Sequence, residues 1–237
     1  MDYGAKGIAL ALAHLLWLRR FDHIVAMTES MARQISQLAK VKPTVISNFV
    51  DEEPLDAFRN THARTGSLRF LFVGSLTDRK RPMLLIEALA QLHASGYEVR
   101  LDIVGEGPLR GQLEDAIAER QLSGRVMLHG QLREPYAELG QADVFVLPSL
   151  SEGTSRAALE ASYLGMICVM RRADGNDELI AEGVNGQLFN DDCELSGAML
   201  QAALLSRLSP AGQCKLPLSF RQTENAHRYA ALVSRDQ

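Results

Sequence analysis

Two glutamates set the first chemical question. In "SEGTSRAALEASYLG" (151–165), Glu152 stands before a helical pattern and Glu160 follows within it, with seven residues between them. At 1.5 Å per residue, Glu160 lies ~9–12 Å along the axis from the helix start. Thr154 or Ser155 can cap that helix, because a hydroxyl accepts from the free N–H groups of the first turn. The same N–H groups, with the positive end of the helix dipole, can hold an anion instead. A phosphate-sized group there would have a carboxylate on each side. An ionised carboxylate accepts hydroxyl groups through strong charge-assisted bonds, so sugar hydroxyls suit both glutamates. The plain alternative is a helix start with a solvated acidic face.

Three glycine-bearing loops extend the constellation. In "VGSLTDRKRP", Gly74 ends an apolar run, and Arg79, Lys80 and Arg81 follow. Cations at a helix start oppose its dipole unless something anionic is present, so this loop suits a phosphate. "VGEGPL" holds Gly105 and Gly107 but not the third glycine of a dinucleotide fingerprint, and reads equally well as a plain turn. In "LHGQL", Gly130 follows a strand, and His129 reads as a structural histidine. A fourth loop, "RRADGNDELI", has Gly175 and Asn176 at a helix start and Glu178 in its first turn. A ligand-facing loop and an ordinary capped helix both remain open there.

The elements that must position these residues alternate. Apolar strands are expected at 23–28, 43–51, 69–76, 99–107, 126–132, 144–149, 167–172 and 186–189. Helices are expected at 29–40, 81–95, 109–122, 135–142, after residue 155 and at 176–183, with a broken helical tail over 193–237. Near-continuous apolar strands alternating with helices predict an α/β fold with a doubly wound parallel sheet. Such sheets bind ligands beyond the carboxyl ends of their strands, which is where the four loops fall. The polar stretch 51–67, with a Pro and a Gly, reads as a linker.

Composition narrows the function classes. The chain has 237 residues, 46% hydrophobic and 23% charged, with a formal net charge of −4. That balance carries no footprint for nucleic acid. Cys168, Cys193 and Cys214 are scattered and form no C-x-x-C, so neither a zinc site nor a disulfide framework is expected, and a reducing cytoplasmic compartment fits. "GIALALAHLLWLRR" is too short to cross a bilayer and lacks the flanks of a signal peptide. With Trp17 and two arginines at one end, a core helix and a helix lying on a membrane surface both remain open.

Taken in order, "FVGSL…K", "VGEGPLRGQLE", "LHGQL", "ADVFVLPSLSEGTSRAALEASYLG", "DGNDELI" and "GVNGQLF" resemble the retaining glycosyltransferases of family 4, which have the two-domain GT-B fold. The resemblance runs from about residue 22 to 190. It implies a Rossmann-like donor domain at 68–205, a portion of the N-terminal domain at 1–58, an interdomain crossing at 59–67 and a helical tail at 206–237 that packs toward the N-terminal domain. It implies transfer of a sugar, with retention, from a UDP-, GDP- or other nucleotide-diphosphate sugar to a hydroxyl acceptor. A glycan or lipid-linked glycan in cell-surface polysaccharide or glycolipid synthesis is the acceptor class it implies. No cofactor and no catalytic metal are implied.

Carried over by position, Glu160 would bind ribose hydroxyls and Glu152 would lie near the donor sugar. Gly153, Thr154 and Ser155 would present N–H groups to the diphosphate, with Lys80 as its cation. Gly74, Ser75 and Arg79 would line the same loop, and the backbone at Gln131 and Leu132 would meet the base. Lys80 and Glu152 are the residues expected nearest the chemistry. Two departures stand out. Ser75 occupies a position where the family usually has an arginine, for which Arg79 or Arg81 could compensate. Much of the acceptor half has no counterpart here, so a binding module completed by another chain, and self-association through exposed apolar surface, are further expectations.

Overall fold

The computed structural model describes residues 4–59, 66–133, 135, 141–173, 175–210 and 212–234. The N-terminal part holds α1 (Gly4–Leu18), β1 (Val25–Ala26), α2 (Glu29–Ala39) and β2 (Thr44–Val45). β1 and β2 pair in parallel over two residues each, far less than the six- and nine-residue strands expected from their apolar runs. A strand extends only where a neighbour accepts its hydrogen bonds, and among the described residues each has only the other. No helix among the described residues is long and apolar enough to cross a membrane.

The polar stretch after β2 is partly ordered. Glu53–Phe58 forms a 3-10 helix with Pro54 in its first turn and Leu55 buried. The expected linker is therefore a packed turn at its start, with Leu55 seated in the core. Residues 60–65 lie outside the described residues.

The larger sheet positions the site. It contains β3 (Leu68–Val73), β4 (Val99–Val104), β5 (Val126–Gly130), β6 (Val144–Leu147), β7 (Ile167–Arg171) and β8 (Gly186–Phe189). Their order is β5-β4-β3-β6-β7-β8 and every pairing is parallel. All four residues of β6 are buried, as are the first four of β7. That is the signature of strands covered on both faces. The intervening helices are α3 (Pro82–Ala94), α4 (Arg110–Glu119), α5 (Arg156–Tyr163) and α6 (Asn176–Leu179). α7 (Leu195–Leu208) packs on β6, β7 and β8 beside α3. Right-handed crossovers running outward in both directions from the β3/β6 pair put α3 and α5 on opposite faces. The chain order reverses at that pair, which makes it the switch point of the sheet. The helix expected at 135–142 falls mostly outside the described residues.

After α7 the chain returns through a short 3-10 turn, Leu218–Phe220, to α8 (Gln222–Val233). Arg221 grips Glu52 with two bonds, 2.7 and 2.5 Å, and the Gln222 N–H donates to the same carboxylate at 2.9 Å. Tyr163, at the end of α5, donates to Asp56 at 2.6 Å and accepts from Arg59 at 2.8 Å. The guanidinium groups of Arg59 and Arg221 lie 4.7 and 5.1 Å from its ring centre. Residues 52–59 are thus tied to both α5 and the tail.

Candidate functional site

The loops after β3, β4 and β5 meet through their backbones. The Gly74 N–H donates to Val104 and the Gly105 N–H to Gly130. A Cβ on Gly105 would come within 1.9 Å of the Gly74 carbonyl oxygen, and Gly105 has a φ of +142°. Glycine is required there on both counts. The close approach shapes a cavity of about 260 Å³ lined by Gly74, Ser75, Gly105, Glu106, Gln131 and Leu132, among others. Four residues expected separately from the sequence thus share one wall. His129 is not among the lining residues; its Nε2 lies 2.7 Å from Asp102.

The loops after β3 and β6 join across the switch point. The Leu150 N–H donates to the Arg79 carbonyl at 2.9 Å. Lys80 Nζ donates to Glu152 Oε1 at 2.5 Å, with both side chains nearly buried at 13% and 9% exposure. Arg79 donates to the Ser151 carbonyl at 2.8 Å and reaches the same Glu152 oxygen at 3.4 Å. A buried charge needs a partner, and Glu152 is Lys80's. The sequence places these residues in two separate motifs; the strand order makes them neighbours. Arg81 is engaged away from this pair. It pairs with Asp192, as does Arg171, and its left-handed backbone (φ 53°) at the start of α3 sends it there.

Ser155, not Thr154, caps α5, accepting from the Ala158 N–H at 3.4 Å. The N–H groups of Gly153, Thr154, Arg156 and Ala157 have no acceptor among the described residues. Thr154 Oγ1 is enclosed and also unpartnered. Glu160 is 8% exposed and accepts no hydrogen bond among the described residues. Its ion-pair partner is the exposed Arg156, 3.7 Å away. Burial pushes its carboxyl up from the ordinary range, and Arg156 pulls weakly the other way. The result is an under-satisfied acid one turn inside a helix with open donors at its start. Such groups in a folded protein call for an explanation; a ligand bringing hydroxyls and an anion would satisfy both ends.

Glu178, from the fourth loop, has a different role from either expected one. It accepts from the Glu29 and Ser30 N–H groups at 2.9 and 3.1 Å, closing the start of α2. No local signal in "DGNDELI" marks this, since its partner lies about 150 residues away. Among the described residues, no group of three or more His, Cys, Asp or Glu side chains is gathered as metal ligands would be.

Comparison with known proteins gives a concordant picture. The family described as "Glycosyl transferases group 1" matches residues 56–206. The amylovoran biosynthesis glycosyltransferase AmsK of Erwinia amylovora is 37% identical over 186 residues, covering 71% of this chain and 45% of AmsK. Among solved structures, the lipopolysaccharide outer core galactosyltransferase WaaB superposes with a TM-score of 0.77 at 21% identity, over 91% of this chain and 62% of WaaB. Anabaena HepE in complex with UDP superposes at 0.74, also at 21% identity, over 91% of this chain and 65% of that one. The chain therefore spans about half to two thirds of the length of these relatives. The α/β fold expected from the strand pattern is the fold they share.

Proposed function

Because this chain belongs to the glycosyl transferases group 1 family, we propose that it is the donor-binding portion of a retaining glycosyltransferase of the family 4 type. Its ligand is a nucleotide-diphosphate sugar, and its acceptor a hydroxyl of a growing cell-surface glycan. The observation that carries this reading is Glu160, a buried carboxylate with no hydrogen-bond donor among the described residues, on a helix whose first two N–H groups have no acceptor among them either. Ribose hydroxyls would satisfy the first and the diphosphate the second. The cavity between Gly74 and Gln131 is the place for the base. UDP in the HepE complex, and the polysaccharide and lipopolysaccharide roles in the names of AmsK and WaaB, support the ligand and acceptor classes.

The chain's contribution to transfer is electrostatic. As the glycosidic bond breaks, charge builds on the leaving diphosphate. Lys80 and the N–H groups of Gly153, Thr154 and Arg156 are fixed donors for that charge, so no reorganisation is needed as it develops. Lys80 shares its proton-rich end with Glu152 until the diphosphate arrives, which keeps the cation in place without a buried unpaired charge.

A thermal-shift screen with UDP-, GDP-, ADP- and dTDP-sugars tests the reading. One nucleotide class should raise the midpoint clearly above the others; a flat response to all four would refute it. A second reading is a nucleotide-sugar-binding module that acts together with a separate acceptor domain. Turnover by this chain alone would exclude that second reading.

A further inference from the structure

A second cavity, of about 240 Å³, opens between α2 and the Glu152 loop. It is lined by Thr28, Ser30, Met31 and Gln34 on one side and by Ser151, Glu152 and Gly153 on the other. Ser30, Met31 and Gln34 share one helix face, since positions one turn apart lie above each other. Glu152 is 9% exposed, and only its Oε1 is held, by Lys80 and Arg79. Oε2 has no partner among the described residues, and neither does the Ser30 hydroxyl or the Gln34 amide.

We infer that Ser30 and Gln34 on α2 are specificity-determining residues, which select a neutral pyranose in this cavity beside Glu152. The inference rests on the donor reading given above. The volume falls below the ~300 Å³ at which pockets begin to hold drug-sized molecules, so it suits a single ring rather than a nucleotide. One wall offers a fixed carboxylate oxygen, and the other a hydroxyl and a carboxamide that can both donate and accept. Met31 adds an apolar surface for the C–H face of a ring. The start of α2 cannot attract an anion, because Glu178 already occupies its N–H groups. A sugar bearing a carboxylate would meet Glu152 in a cavity whose lining residues include no cation, so uronic acids are disfavoured.

The wall is also held in position. Thr28 caps α2 by accepting from the Met31 N–H at 3.0 Å. A Cβ on Gly175 would meet Thr28 at 2.8 Å, so the fourth loop packs directly on that cap. Ser30 and Gln34 therefore face Glu152 from a helix anchored to the same domain that carries Glu152.

The test separates nucleotide from sugar. UDP, UDP-glucose and UDP-glucuronic acid, with GDP and GDP-mannose as the alternative base, are titrated calorimetrically into the native chain, Ser30→Ala and Gln34→Ala. Affinity for the free nucleotide should stay within about twofold in both variants. Affinity for the neutral nucleotide sugar should fall roughly fivefold in each, as expected for loss of one hydrogen bond. UDP-glucuronic acid should bind the native chain no better than UDP. A parallel titration of methyl α-glucoside into the UDP-saturated proteins distinguishes the source. A loss confined to that arm assigns the pocket to an acceptor sugar, and a loss confined to the nucleotide sugar assigns it to the donor. Equal losses for nucleotide and nucleotide sugar, or no loss in either arm, would overturn the inference while leaving the donor reading intact. Failure of the native chain to bind any nucleotide would overturn the donor reading, and this inference with it.

Discussion

Replacing Lys80 by methionine removes one half of a buried ion pair and keeps most of the side-chain volume. The Lys80 Nζ to Glu152 contact is 2.5 Å between groups that are 13% and 9% exposed. Removing one partner of such a pair typically costs about 3–5 kcal/mol, because the other charge stays buried. Arg79 remains 3.4 Å from Glu152, but its side chain is 54% exposed, so its compensation is worth at most about 1 kcal/mol. The expected loss is about 2–4 kcal/mol. For a domain of this size 1 kcal/mol moves the midpoint by about 2–4 °C, which gives a drop of about 4–16 °C. Urea unfolding of the native chain, Lys80→Met, Glu152→Gln and the double variant closes the cycle. The double variant should be more stable than the sum of the single losses predicts, by at least about 1.5 kcal/mol. Additive losses, or a Lys80→Met variant within about 0.5 kcal/mol of native, would show that the pair is not the electrostatic unit described here.

Other parts of the structure give independent expectations. Glu160→Gln should stabilise the fold near neutral pH. The buried carboxyl holds its proton in the folded chain to higher pH than in the unfolded one. Native stability therefore falls as pH rises from the ordinary value through the raised one, and a neutral amide removes that loss. Thermal midpoints should differ at pH 7.5 and converge near pH 4; the opposite trend would contradict it. Gly105→Ala should cost more than about 1–3 kcal/mol in urea, since its Cβ meets the Gly74 carbonyl at 1.9 Å. A neutral outcome would mean that the loops do not touch. Thiol labelling should proceed at the exposed Cys193 and be blocked at Cys168 until unfolding. Burial raises the Cys168 thiol to about 12, leaving almost no thiolate. Rapid labelling of Cys168 in the folded chain would contradict the packing of β7.

Much of this site was legible because its parts are local. The glycine after β3, the hydroxyl cap of α5 and the E-x7-E spacing are each read within about ten residues. The parallel sheet follows from apolar runs such as 144–147 and 167–170, which lack a polar face. What escaped is what the topology assembles. Lys80 and Glu152 are 72 residues apart, and only the adjacency of β3 and β6 brings them together. Arg81 looked equivalent to Arg79 in the sequence, yet its left-handed backbone and Asp192 commit it elsewhere. Glu178 looked like an ordinary first-turn acid and instead closes a different helix. The short β1 and β2 show the same limit from the other side, since an apolar run proposes a strand but only a neighbour completes it.

In the proposed reading, Glu160 and the open start of α5 hold a nucleotide diphosphate. Calorimetric titration of UDP and GDP into the native chain, Glu160→Ala and Lys80→Ala tests it most directly. Each lost charge-assisted hydrogen bond is worth about 1.5–3 kcal/mol. Both variants should therefore bind the preferred nucleotide about 10- to 150-fold more weakly. Unchanged affinity in both variants would contradict the account.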